Sequence, residues 1–179
     1  MQDAELPVHI VTTDIVSGNS VILSDGPAAD AIVASTAIPG AFAPVPYKDR
    51  YLADGAISAN TPVKVAVSKG ARRLIILPTG YACATDVPPV GAVANALHAL
   101  TLLIARQLVN DLEDLSSDIE YVVVPPLCPL VGSPYDFSRT SDHIERAIRS
   151  TEAWLAQRGL EKKHIPGELR PHDHVRPAA

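Results

Sequence analysis

The fold is decided by three linked segments: Ala34-Ser35-Thr36-Ala37-Ile38-Pro39-Gly40, Tyr51-Leu52-Ala53-Asp54-Gly55-Ala56 and Asn60-Thr61-Pro62. Together they describe a small-residue helix end, an isolated Asp-Gly-Ala turn behind an aromatic and apolar run, and the start of a further helix. Asp54 is the sole carboxylate between Tyr51 and Val63. A carboxylate beside a glycine either shapes the turn by bonding its own backbone or serves as an acid or base held on a loop. Local chemistry leaves both interpretations open.

Length and composition predict one globular domain. The 179 residues are 47% hydrophobic, which is enough to bury a core and argues against disorder. Only 4% of the residues are aromatic, so the core is expected to consist of Ala, Val, Ile and Leu. The formal net charge of −5 comes without a lysine and arginine cluster, which argues against nucleic acid and anionic membranes as partners.

Cysteine content and the N-terminus bear on the cellular compartment. Cys83 and Cys128 do not form a disulfide framework or a Cys-x-x-Cys pair, so a reducing compartment is expected. The acidic start at residues 1–5 is unlike a signal peptide. No stretch approaches about 18 uninterrupted apolar residues, which predicts a cytoplasmic protein without a transmembrane segment.

The N-terminal part of the chain has the pattern of a hairpin followed by a helix. Strands are predicted at residues 8–13 and 21–23, and a helix at residues 28–35. Three prolines predict a loop over residues 39–50. Thr61 and Pro62 then form a helix start, and that helix should end at Gly70.

The rest of the chain alternates apolar runs with helical patterns. Residues 74–77 and 121–124 predict strands buried on both faces of a parallel sheet. Residues 90–115 predict one long and largely buried helix, and residues 139–158 an amphipathic helix with Ile144, Ile148 and Leu155 inward. Helix, short link and buried strand are typical of an α/β fold with a mainly parallel sheet.

The three opening segments resemble the patatin-like phospholipase family. That family has the pattern A-S-x-A-x-P-x-x-F-x-P, then D-G-[GA], then N-x-P, and this chain has these motifs in the same order. The resemblance continues upstream into Ile10-Val11-Thr12-Thr13-Asp14 and covers about residues 7–80. It implies a three-layer α/β/α fold and a lipid acyl-ester hydrolase of the phospholipase A or lipase type, working with a Ser-Asp dyad and no cofactor.

The resemblance also assigns roles to particular residues. Asp54 matches the catalytic base, and Asp54, Gly55 and Ala56 form the D-G-[GA] motif. Asn60 matches an asparagine that supports the aspartate's loop. In the family the base activates a serine in a Gly-x-Ser-x-Gly elbow, because a serine hydroxyl is a weak nucleophile until a neighbouring group accepts its proton.

The chain departs from the family at the nucleophile. No two of its ten glycines are four residues apart, so it has no Gly-x-Ser-x-Gly motif and no glycine-rich oxyanion loop. We therefore expect residues 1–165 to be the C-terminal portion of a patatin-like domain whose N-terminal part is missing, inactive alone. The alternatives are a non-catalytic patatin-like module that binds lipid or protein, and an unrelated α/β binding domain in which Asp54 only shapes a turn.

Other nucleophiles and ligands are weaker candidates. Ser35 is better explained as a packing residue, and Ser58 as a surface hydroxyl in a turn. Cys83 is better explained as a small apolar side chain in a loop than as a nucleophile. Residues 166–179 are rich in Pro, His and Arg, which predicts a disordered tail. His164 and the segment His172-Asp173-His174 are therefore expected to be solvated, and no metal is expected. Apolar faces left uncovered by a missing half predict self-association.

Overall fold

The computed structural model describes residues 1–79, 83, 88–130 and 137–174. Two compact units divide the chain, Met1–Pro62 (unit 1) and Val63–Ala179 (unit 2). Each unit has its own cluster of buried apolar side chains. The linked motifs that include Asp54 lie in unit 1.

Unit 1 is a four-stranded antiparallel sheet with two helices. Its elements are β1 (Ile10–Asp14), β2 (Ser20–Leu23), α1 (Ala28–Ser35), β3 (Val45–Tyr47), β4 (Arg50–Asp54) and α2 (Ala56–Ala59). The strand order is β2-β1-β4-β3, and each neighbouring pair is antiparallel. In the β1–β4 register Thr12 lies opposite Asp54. The first strand and the strand that ends at the Asp-Gly turn are thus direct neighbours.

The core of unit 1 lies between the sheet and α1. Leu23, Ala31, Ala34 and Leu52 form its buried cluster. Small residues on α1 let the helix approach the sheet closely, which explains why Ala31 and Ala34 are buried there. The predicted hairpin and the predicted helix at residues 28–35 are both confirmed.

The loop predicted over residues 39–50 is wrong in part, because β3 lies within it. Pro46 is tolerated in β3 since this strand is at the edge of the sheet, where a missing N–H costs no ladder hydrogen bond. Only Lys48 and Asp49 separate β3 from β4. A connection that short can join antiparallel strands but not parallel ones.

Unit 2 pairs two parallel strands and covers them with helices. Its elements are α3 (Val63–Ser68), β5 (Arg73–Ile76), α4 (Ala92–Glu113), β6 (Glu120–Val123) and α5 (Thr140–Ala156), with 3₁₀ turns at Phe137–Arg139, Gly159–Glu161 and Gly167–Leu169. β5 and β6 pair in parallel, as predicted. The buried cluster draws on α3, both strands and the C-terminal half of α4.

The described residues form a mixed α/β structure with one antiparallel and one small parallel sheet. Within the described residues, the predicted three-layer arrangement around a mainly parallel sheet is not clear, because three of the four pairings between the described strands are antiparallel. The apolar run of β1 predicts a strand, whereas β4 was not predicted. Strand direction also depends on which strand pairs with which, and an apolar run does not contain that information.

Burial in unit 2 is also less complete than predicted. β5 alternates, with Leu74 and Ile76 buried and Ile75 exposed, so it is covered on one face rather than two. The buried residues of α4 start at Ile104, whereas Leu102 and Leu103 are exposed. The apolar face of α5 is likewise exposed at Ile144, Ile148 and Leu155.

Within the described part of the chain, one helix meets the length and composition of a membrane span. It is α4, with a mean hydropathy of 1.4 over its best window. Core helices of soluble proteins pass the same test, so this feature is weak evidence for a membrane crossing.

The C-terminal segment packs onto unit 2 as far as residue 174. Leu169 joins the buried cluster, and Arg170 forms an ion pair of 2.6 Å with Glu113 on α4. These contacts lie in the region predicted to be a disordered tail, residues 166–179. Residues 175–179 of that prediction lie outside the described residues.

Candidate functional site

Asp54 is the last residue of β4, where the strand turns into α2 (Ala56–Ala59). The two preceding residues, Leu52 and Ala53, are buried, so the end of the strand is fixed by the core of unit 1. The Asp54 side chain itself is half-buried. A carboxylate at this position combines a rigid support with partial access to solvent.

Hydrogen bonds from two other segments hold the backbone of Asp54. Its N–H donates to the carbonyl oxygen of Ala37 at 3.0 Å, in the loop after α1. Its carbonyl oxygen accepts from the Thr13 hydroxyl at 2.9 Å. Since that hydroxyl has one proton, the Ser58 hydroxyl at 2.9 Å is the donor to Thr13 Oγ1. Thr13 is fully buried, so this chain of hydrogen bonds is protected from water.

The Asp54 carboxylate bonds the turn that follows it. Oδ1 accepts a hydrogen bond of 2.8 Å from the Ala56 N–H. Burial raises the pKa of Asp54 above its ordinary value of 3.8, and the Ala56 hydrogen bond opposes that shift. The side chain therefore shapes the turn through Oδ1.

Gly55 is required because a side chain at this position would clash with β1, and not because of its backbone conformation. Its φ of −62° is ordinary for any residue. A Cβ at this position would lie 2.3 Å from the Val11 carbonyl oxygen and 2.9 Å from the Val11 carbonyl carbon. The turn thus passes directly against the backbone of β1, an approach that only glycine permits.

Ser35 contacts the same carbonyl group. Its hydroxyl donates a hydrogen bond of 2.7 Å to the Val11 oxygen from the end of α1. The packing role predicted for Ser35 matches this contact. Ser58 differs from the prediction of a surface hydroxyl in a turn, because it is half-buried on α2 and bonded to Thr13. Both hydroxyls connect other elements to β1.

Asn60 and Asp14 are two further polar residues of unit 1. Asn60 follows α2, and its Nδ2 donates to the Thr61 hydroxyl at 3.4 Å. The support of the Asp54 loop by Asn60 stays a prediction. Asp14 accepts from the Val16 N–H at 3.0 Å and from the Ser17 hydroxyl at 2.9 Å. These bonds lower the pKa of Asp14 and hold the turn that follows β1.

The structure also gathers four side chains in unit 2 that the sequence did not indicate as a group. They are Cys83, Cys128, His172 and His174, and their ligand-type atoms lie within 4.8 Å of one another. Cys83 is buried and the other three are half-buried, unlike the solvated histidines predicted from the tail. His164 is exposed, as predicted. Burial and the adjacent Cys83 thiol raise the pKa of Cys128 to about 11.

No sequence signal indicated this grouping beyond the His-x-His pair. The two cysteines are 45 residues apart, and Cys128 and His172 are 44 apart. Metal-binding motifs in sequences are recognised by short ligand spacings, which these residues lack. Only the fold brings the four residues to one place.

The N-terminal region of the chain is similar to a known family. Residues 6–67 match the family model described as Patatin-like phospholipase. The match covers unit 1 from Leu6 onward and extends into α3, so it includes the Asp54 turn. It is shorter than the resemblance over about residues 7–80 predicted from the motifs. The matched region is thus similar to a family of phospholipases.

Proposed function

We propose that Asp54 is the general base of a patatin-like lipid acyl-ester hydrolase and that this chain is the base-bearing half of the enzyme. The observation that carries the proposal is the Asp54 turn: a half-buried carboxylate on a backbone fixed by Thr13 and Ala37, inside the region that matches the family. The nucleophilic serine would come from an N-terminal segment with the Gly-x-Ser-x-Gly elbow.

The environment of Asp54 suits proton transfer. The Ala56 N–H holds Oδ1, so the other oxygen can accept the serine Oγ proton as Oγ attacks the ester carbonyl carbon. A raised pKa brings the aspartate nearer to working pH, which makes it a stronger base than an exposed aspartate. The alcohol then leaves with a proton from Asp54, and water hydrolyses the acyl-serine by the same route.

Apolar side chains next to the turn support a lipid substrate. Tyr51 lies three residues before Asp54 and Ile57 three residues after it, and both are exposed. Phe42, in the Pro-rich loop, is exposed as well. Large exposed apolar side chains close to a functional group are typical of surfaces that receive acyl chains.

The first experiment assays the chain alone. Purified protein is incubated with p-nitrophenyl butyrate and with a fluorophosphonate that labels activated serines. We expect no turnover and no label above the level of Asp54→Asn, since the chain has no serine elbow. Turnover by the wild-type chain that Asp54→Asn abolishes would show that a substitute nucleophile exists, and the proposal of a missing half would be wrong.

The second experiment uses the gene product extended upstream to include the Gly-x-Ser-x-Gly segment. Asp54→Asn should lower kcat/KM for a phospholipid by about 10³-fold or more, the usual cost of removing one member of a catalytic unit. Asp49→Asn is the matched control, because this carboxylate lies in the β3–β4 turn with its side chain 88% exposed. It should keep wild-type activity. An Asp54→Asn enzyme with full activity would overturn the proposal.

The second candidate function is a non-catalytic module that binds lipid or a protein partner. The lack of a Gly-x-Ser-x-Gly motif in these 179 residues favours it directly. The exposed apolar residues of α4, Leu102 and Leu103, would suit such binding and the predicted self-association. An upstream coding sequence without a serine elbow would select this function over the hydrolase.

A further inference from the structure

The four clustered side chains of unit 2 have the mutual spacing of ligands around one ion. Cys83 Sγ and Cys128 Sγ are 3.7 Å apart. From Cys83 Sγ the distances are 3.9 Å to His172 Nε2 and 3.4 Å to His174 Nε2. From Cys128 Sγ they are 3.5 and 3.2 Å to the same two nitrogens.

The sulfur–sulfur and sulfur–nitrogen distances fit edges of a tetrahedron centred on zinc, and the ligand atoms of the two histidines lie within 4.8 Å of each other. Zinc lies about 2.3 Å from cysteine sulfur and about 2.0 Å from histidine nitrogen, which places two sulfurs about 3.8 Å apart and a sulfur and a nitrogen about 3.5 Å apart. The observed sulfur–sulfur and sulfur–nitrogen distances are close to both values. A disulfide would need the sulfurs about 2.05 Å apart, much closer than they are.

Hydrogen bonds around the cluster hold the ligands as metal ligands are usually held. The Leu130 N–H donates to Cys83 Sγ at 3.2 Å, which stabilises a thiolate. His172 Nδ1 lies 2.8 Å from the carbonyl oxygen of Arg170. A carbonyl oxygen only accepts, so Nδ1 has the proton and the lone pair of Nε2 faces the sulfurs.

The surroundings allow an ion to enter and then hold it firmly. Cys83 and His172 line a cleft of about 750 Å³ beside α4. The segment that contributes the histidines is anchored just before them, since Leu169 is buried and Arg170 pairs with Glu113. Three separate parts of the chain therefore converge on one point.

We propose that Cys83, Cys128, His172 and His174 bind a structural zinc ion. Four protein ligands complete a tetrahedral shell and leave no position for a substrate or a reactive water, which is typical of structural sites. Binding releases the two thiol protons to solvent, and the two thiolates neutralise the charge of Zn²⁺. Paired sulfur and imidazole ligands in this geometry favour zinc over magnesium or calcium, which take oxygen ligands.

The ion would connect the C-terminal segment to the chain beyond β5 and beyond β6. Joining segments so distant in sequence removes much conformational freedom from the unfolded chain, so the ion should stabilise unit 2. This proposal concerns unit 2 only and does not depend on the hydrolase function proposed for unit 1.

The experiment measures metal in the full chain, purified under reductant without a histidine tag. Elemental mass spectrometry should find one zinc ion per chain. Protein loaded with cobalt in place of zinc should show the strong visible absorption of a tetrahedral thiolate complex. Cys128→Ser and His174→Ala should each weaken zinc binding by more than about 100-fold, since altering even an outer-shell partner costs 10 to 100-fold. Asp173→Asn and His164→Ala are controls that remove neighbouring exposed groups and should bind zinc as wild type does.

A variant that fails to fold would mimic a lost ligand, so His174→Cys is included. It keeps a ligand at the same position and should restore zinc binding and the cobalt spectrum. The proposal is overturned if the reduced wild-type chain binds no zinc, or if Cys128→Ser and His174→Ala bind it as tightly as Asp173→Asn. A Cys83–Cys128 disulfide that persists as the only stable state, seen as a mass two hydrogens lower, would overturn it too.

Discussion

The candidate sites of the two units differ in how their residues are distributed along the sequence. In unit 1, Asp54, Gly55 and Ala56 are consecutive residues on one turn. In unit 2, the cysteines and histidines come from three places in the chain and meet only in the folded structure. A motif of adjacent residues can be recognised in a sequence, whereas a site assembled from distant residues leaves almost no local pattern.

The contrast is incomplete, because the turn of unit 1 also depends on a distant residue. The Val11 carbonyl group receives the Ser35 hydroxyl and lies in contact with Gly55. Thus α1 and the Asp54 turn are both positioned against one backbone group of β1. Substitutions at these contacts measure how strongly the structure around Asp54 depends on β1.

The largest loss of folding stability is expected from Gly55→Ala. The new methyl group would lie 2.3 Å from the Val11 carbonyl oxygen, so either β1 or the turn must move. Backbone is harder to displace than a side chain, and we expect a loss of about 3 kcal/mol or more in the free energy of unfolding. Urea denaturation followed by circular dichroism gives this value.

Gly167→Ala is the control for that substitution. A Cβ there would meet nothing within 4 Å, so its effect should stay within about 0.5 kcal/mol. Equal stability of the Gly55→Ala variant and this control would show that the close approach to Val11 does not constrain the turn.

A smaller loss of folding stability is expected from Ser35→Ala. The substitution leaves the Val11 carbonyl without the hydroxyl that donates to it, in a partly buried place, at a cost of about 1–2 kcal/mol. Ser68→Ala is the matched control, because Ser68 also donates to a backbone carbonyl but is exposed. Water can replace that hydroxyl, so the control should lose less than about 0.5 kcal/mol. Equal losses in thermal unfolding would contradict a special role for the Val11 carbonyl.

The smallest expected effect is a dependence of folding stability on pH that arises from the titration of Asp54. Its pKa is raised by burial in the folded state, so the folded chain binds more protons than the unfolded chain above pH 3.8, the ordinary value. The contribution of Asp54 to stability is therefore fully present below that pH and is lost as the pH rises through the folded pKa. Asp54→Asn removes the titration.

Thermal melts of both proteins between pH 3 and 7 check this prediction. The melting temperature of Asp54→Asn minus that of the wild type should increase with pH and then level off. A difference that decreases as the pH rises would mean that the folded state stabilises the charged carboxylate, contrary to the desolvation argued here.

Much of the local structure was predictable from sequence. The hairpin of β1 and β2, the bounds of α1 and the parallel pair of β5 and β6 followed from apolar periodicity and turn residues. The antiparallel order of the sheet in unit 1 did not, because the pairing of β1 with β4 is a contact between residues about 40 positions apart. The same limit explains the missed Cys and His cluster.

Burial was predicted least well. The helix predicted over residues 90–115 was expected to be largely buried and the apolar face of α5 to lie inward, yet Leu103 and Ile148 are exposed. Amphipathic periodicity shows that a helix has an apolar side, but it does not show whether another element of the same chain covers that side.

The Gly55 contact changes what an Asp-Gly pair can tell about function in other proteins of this kind. Gly55 is needed so that the turn can pass against β1, whatever the aspartate does. A protein that kept this architecture without catalysis would still need the glycine, and its aspartate could still accept the Ala56 N–H and shape the turn. The Asp-Gly pair is therefore a sign of the architecture first, and catalysis has to be tested separately.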